Sequence, residues 1–215
     1  MIDVSLLKGE VIFQYSWGWI KEPMSIKPRD YLNFAQQDRS DGDSARHLIN
    51  SVSNSKRALH LRMENLYEGF GGIAVAGKAQ NFPSLIDFLR KCGIVSPRIL
   101  DRINRLRNAV EHEYYTPTLD EAETFLDVTE LFLAATDALI GRQPSTIEFE
   151  YDAIRDRSGT LLLQEMSFDW ENAQITLSFG PEGNSSLMAR VRHQLDSSVD
   201  DYFECVRFAI KHSGE

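Results

Sequence analysis

Asp137-Ala138-Leu139-Ile140-Gly141-Arg142-Gln143-Pro144-Ser145-Thr146-Ile147-Glu148-Phe149-Glu150-Tyr151-Asp152 is the stretch in which the apolar period of the chain switches. Up to Gly141 apolar residues recur at helical spacing. Beyond the Gln143-Pro144 step they alternate, as on a strand with one buried face. Ile147, Phe149 and Tyr151 alternate with Glu148, Glu150 and Asp152, and Ile175, Leu177 and Phe179 with Gln174, Thr176 and Ser178, which predicts two half-buried strands. Residues 160–168 and 187–193 predict two more. Turn signals at Arg157-Ser158-Gly159, Glu171-Asn172 and Gly180-Pro181-Glu182-Gly183-Asn184 separate them. A closing helix is predicted from Val199, Phe203, Val206 and Ile210 at steps of four, three and four, with Ser198 as its cap and Asp201 behind it. Residues 142–215 thus read as a small α+β module.

Upstream the pattern is helical. Residues 10–20 alternate and predict a short strand or extended arm with Trp17 and Trp19 beyond it, and a helix follows the Lys27-Pro28 step, so 1–42 reads as an arm and a short helix. A longer helix begins near Asp43-Ser44 and carries Leu48, Ile49, Val52, Leu59, Met63, Leu66 and Phe70, its stripe broken once by Lys56. Gly69, Gly71, Gly72 and Gly77 then open a loop. Gly72 to Ala79 matches GxxxxGK but lacks the Ser or Thr that binds magnesium at position 79, and it follows a helix where a phosphate-binding loop follows a strand. Nucleotide hydrolysis is therefore not expected there.

The next helix runs from about Pro83 to Lys91, and another carries Ile99, Ile103, Leu106 and Val110 at steps of four, three and four. Thr118-Leu119-Asp120-Glu121 is a capping box. The helix it opens holds Ala122, Phe125, Leu126, Leu131, Phe132, Leu133, Leu139 and Ile140, more apolar surface than one narrow stripe needs, which suits a second face against another subunit. Residues 43–141 thus hold four helices. The expected class is α+β overall: a mainly α-helical four-helix bundle followed by a small antiparallel sheet with a helix.

With 215 residues the chain suffices for one large domain or two small ones, and its 42% hydrophobic and 26% charged residues are ordinary for a globular protein. A net charge of −9 argues against broad coating of nucleic acid, so any RNA contact should be local. Cys92 and Cys205, far apart and without ligand spacing, indicate neither a disulfide framework nor a zinc site. The start lacks a basic-then-apolar leader, and no apolar run is long enough to span a bilayer. A cytoplasmic location without membrane contact is the expectation, with neither metal nor cofactor called for.

The chemistry concentrates in Arg107-Asn108-Ala109-Val110-Glu111-His112, followed by Glu113 and Tyr114. An imidazole accepts and returns a proton near neutral pH, and a guanidinium clamps phosphate oxygens. At about 100° per residue, Asn108 and His112 lie about 40° apart on a helix, Arg107 about 140° from His112, and Tyr114 about 20° from Arg107. All four can border one site if the helix persists to Tyr114, and Thr116-Pro117 ends it close by. Arg98, Arg102 and Arg105 share another face of the same helix. From 78 to 107, Lys78, Arg90, Lys91, Arg98, Arg102, Arg105 and Arg107 oppose only Asp87 and Asp101, a local balance of +5 that suits a phosphate-bearing ligand. The plain alternative is a solvated helix in which Arg107 pairs with Glu111.

The order Arg, Asn, three residues, His, one residue, Tyr, late in an apolar-periodic helix, resembles the HEPN family of small helical ribonuclease toxins, over roughly residues 43 to 141. The resemblance implies a metal-independent endoribonuclease. It further implies that two subunits pack so that both copies of Arg107 and His112 line one cleft, that His112 is general base and acid in attack of the RNA 2'-hydroxyl, leaving a 2',3'-cyclic phosphate, that Arg107 steadies the phosphate, and that Asn108 orients phosphate or imidazole. Arg98, Arg102 and Arg105 are the accompanying RNA-binding candidates. Tyr114 matches the tyrosine at which a nucleotidyltransferase antitoxin silences a subset of the family.

The rival from another class is a non-catalytic HEPN-like RNA- or nucleotide-binding or dimerisation protein. A third is a sensor whose C-terminal module gates the helical part. His47 and His60, on the long helix, are read as lacking a second ligand at i,i+4, and like His193 and His212 are expected to be ordinary surface or core residues.

Overall fold

The computed structural model describes residues 12–78, 81–94, 115–150, 154–156, 159–181, 191–196 and 200–212. Among these are six helices and one five-stranded antiparallel sheet, an α+β fold.

Helix α1 spans Pro28–Ser40. Proline suits the first helical position because no intrahelical hydrogen bond is asked of its nitrogen, and Asp30 accepts from the Lys27 backbone N–H at 2.8 Å. Helix α2, Ala45–Gly69, starts at the Ser44 cap and is the centre of the helical part. Leu48, Val52, Leu59, Met63 and Leu66 bury one face, and Ser51, Ser55, Ala58 and Arg62 a second. The small residues let α1 approach closely. Leu32 of α1 and Ala58 of α2 form a satellite core with Leu133 of a later helix. Burying a side chain such as Leu66 contributes about 1.5–3 kcal/mol.

The glycine-rich segment expected as a loop contains a helical turn, α3, Gly72–Ala76. Gly71 before it has φ +82°, and a Cβ there would sit 2.9 Å from the Trp170 carbonyl oxygen. That position requires glycine on two counts. Tyr67 Oη donates to the Gly77 carbonyl at 2.6 Å and closes the turn. Helix α4, Phe82–Lys91, is capped by Asn81, whose Oδ1 accepts from the Ser84 N–H at 3.0 Å. Helix α5, Leu119–Gly141, begins at the expected capping box, with Glu121 N–H donating to Thr118 Oγ1 at 3.3 Å and Thr118 N–H to Glu121 Oε2 at 2.8 Å.

The strands are β1 (Ile12–Gly18), β2 (Gln143–Phe149), β3 (Leu162–Asp169), β4 (Gln174–Gly180) and β5 (Val191–Asp196), adjacent in that order. The N-terminal strand therefore joins the sheet built after α5, pairing Tyr15 with Ile147 and Ser16 with Thr146. Trp17, expected beyond the strand, lies within it opposite Pro144. Strand β2 likewise starts earlier than the alternation suggested, at Gln143-Pro144. A proline there is tolerated because it stands at the beginning of the strand, beside a register shift that leaves Ser145 of β2 as the extra residue.

Ile147, Met166 and Leu177 stand in one cross-strand row and are buried. The opposite face carries Thr146, Ser167, Thr176 and Gln194 in one row and Glu148, Glu165, Ser178 and Arg192 in the next. Strand β5 falls later than the expected 187–193, of which 187–190 lie outside the described residues. Its Val191, Arg192, His193 and Gln194 are all exposed, so no alternation marks its ends.

Helix α6, Asp200–Lys211, follows. Its most buried residues are Tyr202, Cys205, Val206, Phe208 and Ala209, with Phe203 and Ile210 only partly covered. The apolar face is thus rotated from the expected stripe, and the expected cap Ser198 and first stripe residue Val199 lie outside the described residues. One hydrophobic cluster runs from Leu59 and Leu66 of α2 and Leu85 of α4 through Ile147, Met166 and Leu177 of the sheet to Val206 of α6.

Candidate functional site

Arg107, Asn108, His112 and Tyr114 lie outside the described residues, as do Arg98, Arg102 and Arg105. What the structure describes is how the chain leaves for that segment and how it returns.

Departure is fixed at the end of α4. Gly93, at φ +76°, donates to the Arg90 carbonyl at 3.0 Å, and Ile94 N–H to the Leu89 carbonyl at 2.9 Å. This paired closure ends a helix by satisfying its last carbonyls. Arg207 of α6 adds a bond from Nη1 to the Lys91 carbonyl at 3.0 Å. Cys92 is buried beneath, and burial pushes its thiol up to about 12.

Return is fixed by the capping box. Tyr115, next to the tyrosine of the motif, donates its hydroxyl to Glu121 Oε2 at 2.9 Å, while Pro117 is buried. The Glu121 carboxyl is held below its ordinary range, first by the Thr118 backbone N–H and then by the Tyr115 and Thr118 hydroxyls against the opposing effect of burial. The Tyr115 phenol is raised, chiefly because it donates to that carboxylate. Tyr115 and Glu121 are six residues apart, and nothing in the sequence announces their contact.

The basic strip is partly neutralised where it is described. Asp87 takes Arg90 on one oxygen and Lys91 on the other, the latter at 3.3 Å. These bonds come first in lowering its carboxyl below the usual range. Two of the seven cations counted from sequence, Arg90 and Lys91, are thus engaged within α4.

Two polar clusters escaped the sequence reading. Arg62 of α2, its side chain 3% exposed, donates from Nη1 to Asp137 Oδ1 at 2.8 Å and Thr136 Oγ1 at 3.2 Å on α5. Its Nε lies 3.8 Å from Glu22 Oε1, Asn65 donates to the same oxygen at 3.1 Å, and Arg29 of α1 pairs with the other oxygen of Asp137. An arginine in a helix reads as solvated; only the packing of α2 against α5 makes it a strut.

The second cluster includes His60. Contrary to the expectation that it lacks a partner at i,i+4, its Nε2 lies 3.7 Å from Glu64 Oε1. Both line a groove with Arg57, Tyr31, Leu61 and the segment Met24-Ser25-Ile26. Among the described residues no three His, Cys, Asp or Glu come together as metal ligands do, and no helix is long and apolar enough to cross a membrane.

Neither the protein-family models, nor the curated proteins, nor the solved structures contain a match to this chain.

Proposed function

We propose that the chain is a HEPN-like, metal-independent endoribonuclease that works as a homodimer in the cytoplasm. The observation that carries this is the motif itself, Arg107-Asn108, three residues, His112, one residue, Tyr114. His112 takes the proton from the RNA 2'-hydroxyl and returns one to the leaving 5'-oxygen. Arg107 offsets charge on the phosphorane-like transition state, and Asn108 orients phosphate or imidazole. The products are a 2',3'-cyclic phosphate and a free 5'-hydroxyl. Arg98, Arg102 and Arg105 hold flanking phosphates, and a nucleotidyltransferase partner silences the enzyme at Tyr114.

The described frame supports the reading in one way: in sequence the motif falls between α4 and α5, and both helices pack with α2 in one hydrophobic core.

The test is incubation with labelled total tRNA and a structured single-stranded RNA in excess EDTA, beside folded Arg107→Ala and His112→Ala proteins. Cleavage by the wild type alone supports the assignment. An inactive wild type, after any nucleotide on Tyr114 has been removed, favours the non-catalytic binding or dimerisation protein.

A further inference from the structure

The groove beside α2 has a volume of 340 Å³, within the roughly 300–1,000 Å³ typical of ligand pockets. Its walls are Met24, Ser25 and Ile26 on one side and Tyr31, Arg57, His60, Leu61 and Glu64 on the other. At one end the Arg57 guanidinium carbon stands 6.0 Å from the Tyr31 ring centroid, and its Nη1 donates to Asn54 Oδ1 at 3.0 Å. Asn54 is itself held by Asp38 at 2.8 Å. The groups that position this guanidinium are a ring and an amide, so they fix its place without neutralising its charge. At the other end stands the Glu64 carboxylate, which can accept several hydrogen bonds besides the contact with His60. Leu61 lies between them on the same helix, and the apolar Ile26 and Met24 line the same groove.

We propose that this groove binds a short apolar peptide in extended form, its terminal carboxylate on Arg57 and its terminal ammonium on Glu64. Seven residues of helix separate the Cα atoms of Arg57 and Glu64 by about 10.5 Å along the axis, and at about 100° per residue both side chains leave the same face. Three extended residues span about 10–11 Å, so a tripeptide matches. An anion alone would leave Glu64 facing it as a repelling charge, and a cation alone would leave Arg57 so; a ligand charged oppositely at its two ends satisfies both. Although the Glu64 side chain is half exposed, its partial burial raises the carboxyl above its ordinary range, the direction that an arriving ammonium reverses. None of this uses Arg107 or His112, so the groove and the nuclease stand or fall separately.

The test is calorimetric titration of the full-length protein with trileucine, its C-terminal amide and its N-acetyl form. Arg57→Gln and Glu64→Gln proteins, altered at exposed side chains and checked for native circular dichroism, run beside it. Trileucine should saturate the wild type. Amidation on the wild type, or Arg57→Gln with trileucine, should each weaken binding at least about tenfold. Acetylation and Glu64→Gln should do the same at the other end. The amide should bind Arg57→Gln no worse than wild type, because the same contact is already gone. A longer peptide ending in three leucines should bind no better than the acetylated form, which separates a free tripeptide from a protein tail. Failure of trileucine to saturate at about 10 mM, equal binding by the variants, or saturation by a nucleoside monophosphate instead would overturn the proposal.

Discussion

Replacing Arg62 with methionine should destabilise the protein by about 2 kcal/mol, a figure assembled from what the guanidinium touches. The charged bond to Asp137 Oδ1, at 2.8 Å, contributes about 1.5–3 kcal/mol. The bond to Thr136 Oγ1, at 3.2 Å, adds about 0.5–1.5 kcal/mol. Against these stands the desolvation of a guanidinium that is almost wholly buried, which methionine no longer incurs. Asp137 is not orphaned, because Arg29 remains on its other oxygen, and Thr136 still donates to the Phe132 carbonyl at 2.8 Å. Hence the loss is smaller than the roughly 3–5 kcal/mol of a pair broken in full isolation. Alanine, which also leaves a cavity, should cost about 4 kcal/mol.

Urea unfolding at pH 7 reads this directly. With a slope of about 2 kcal/mol/M, the methionine variant's midpoint falls by about 1 M at unchanged slope. The dependence on pH gives a second reading. Burial by itself raises the Asp137 carboxyl, but the bonds from Arg29 and Arg62 outweigh it and hold the group below its ordinary value. A folded pKa depressed in this way contributes stability above the unfolded value of about 3.9 and loses it as pH falls through the folded value. The gap between wild type and Arg62→Met should therefore narrow below about pH 4. A methionine variant as stable as wild type at pH 7 would show that desolvation cancels the pair, and that Arg62 is no strut.

Other expectations are simpler. Gly71→Ala should cost about 2–3 kcal/mol, because φ +82° strains alanine and the Trp170 carbonyl lies where its Cβ would go; Gly141→Ala, with open space around it, should change stability by less than about 1 kcal/mol. Thermal melts of the two distinguish them, and equal melts would contradict the tight approach. Cys92 and Cys205 are buried with thiols pushed up to about 12, so neither should react with an aromatic disulfide reagent at pH 8 until the protein is unfolded. If the proposed homodimer packs through α5, Leu131→Glu at its exposed Leu131 should give a monomer by light scattering with an unchanged circular dichroism spectrum; a dimer that survives the substitution places the interface elsewhere.

Much of the fold was legible because it rests on local pattern. The change of period after Gly141 marks where the sheet strands begin to follow α5, and Thr118 with Glu121 marks where α5 begins. Strand partners were not legible: alternation near Tyr15 says strand, but only the fold pairs it with Ile147 across more than half the chain. The edges of β5 were hidden because a strand exposed along four successive residues has no periodicity to read. The turn of helix at Gly72–Ala76 was masked by the glycines that flank it. Of the candidate functional residues, those of the Arg107 to Tyr114 motif are marked by their order in the sequence alone. The Arg62 strut is invisible to any local rule, whereas the spacing of His60 and Glu64 lay open in the sequence and only their joint placement on a groove did not.

Attack by an RNA 2'-hydroxyl, with His112 moving the proton and Arg107 on the phosphate, is the proposed step that one substrate change tests directly. An oligoribonucleotide cleaved by the wild type in EDTA should be re-made with a single 2'-deoxy sugar on the 5' side of the cut and assayed again, with the product ends analysed. The all-ribose strand should yield cyclic-phosphate ends, and the deoxy position should not be cut. Cleavage that persists at the deoxy sugar, or products carrying a 5'-phosphate, would contradict it.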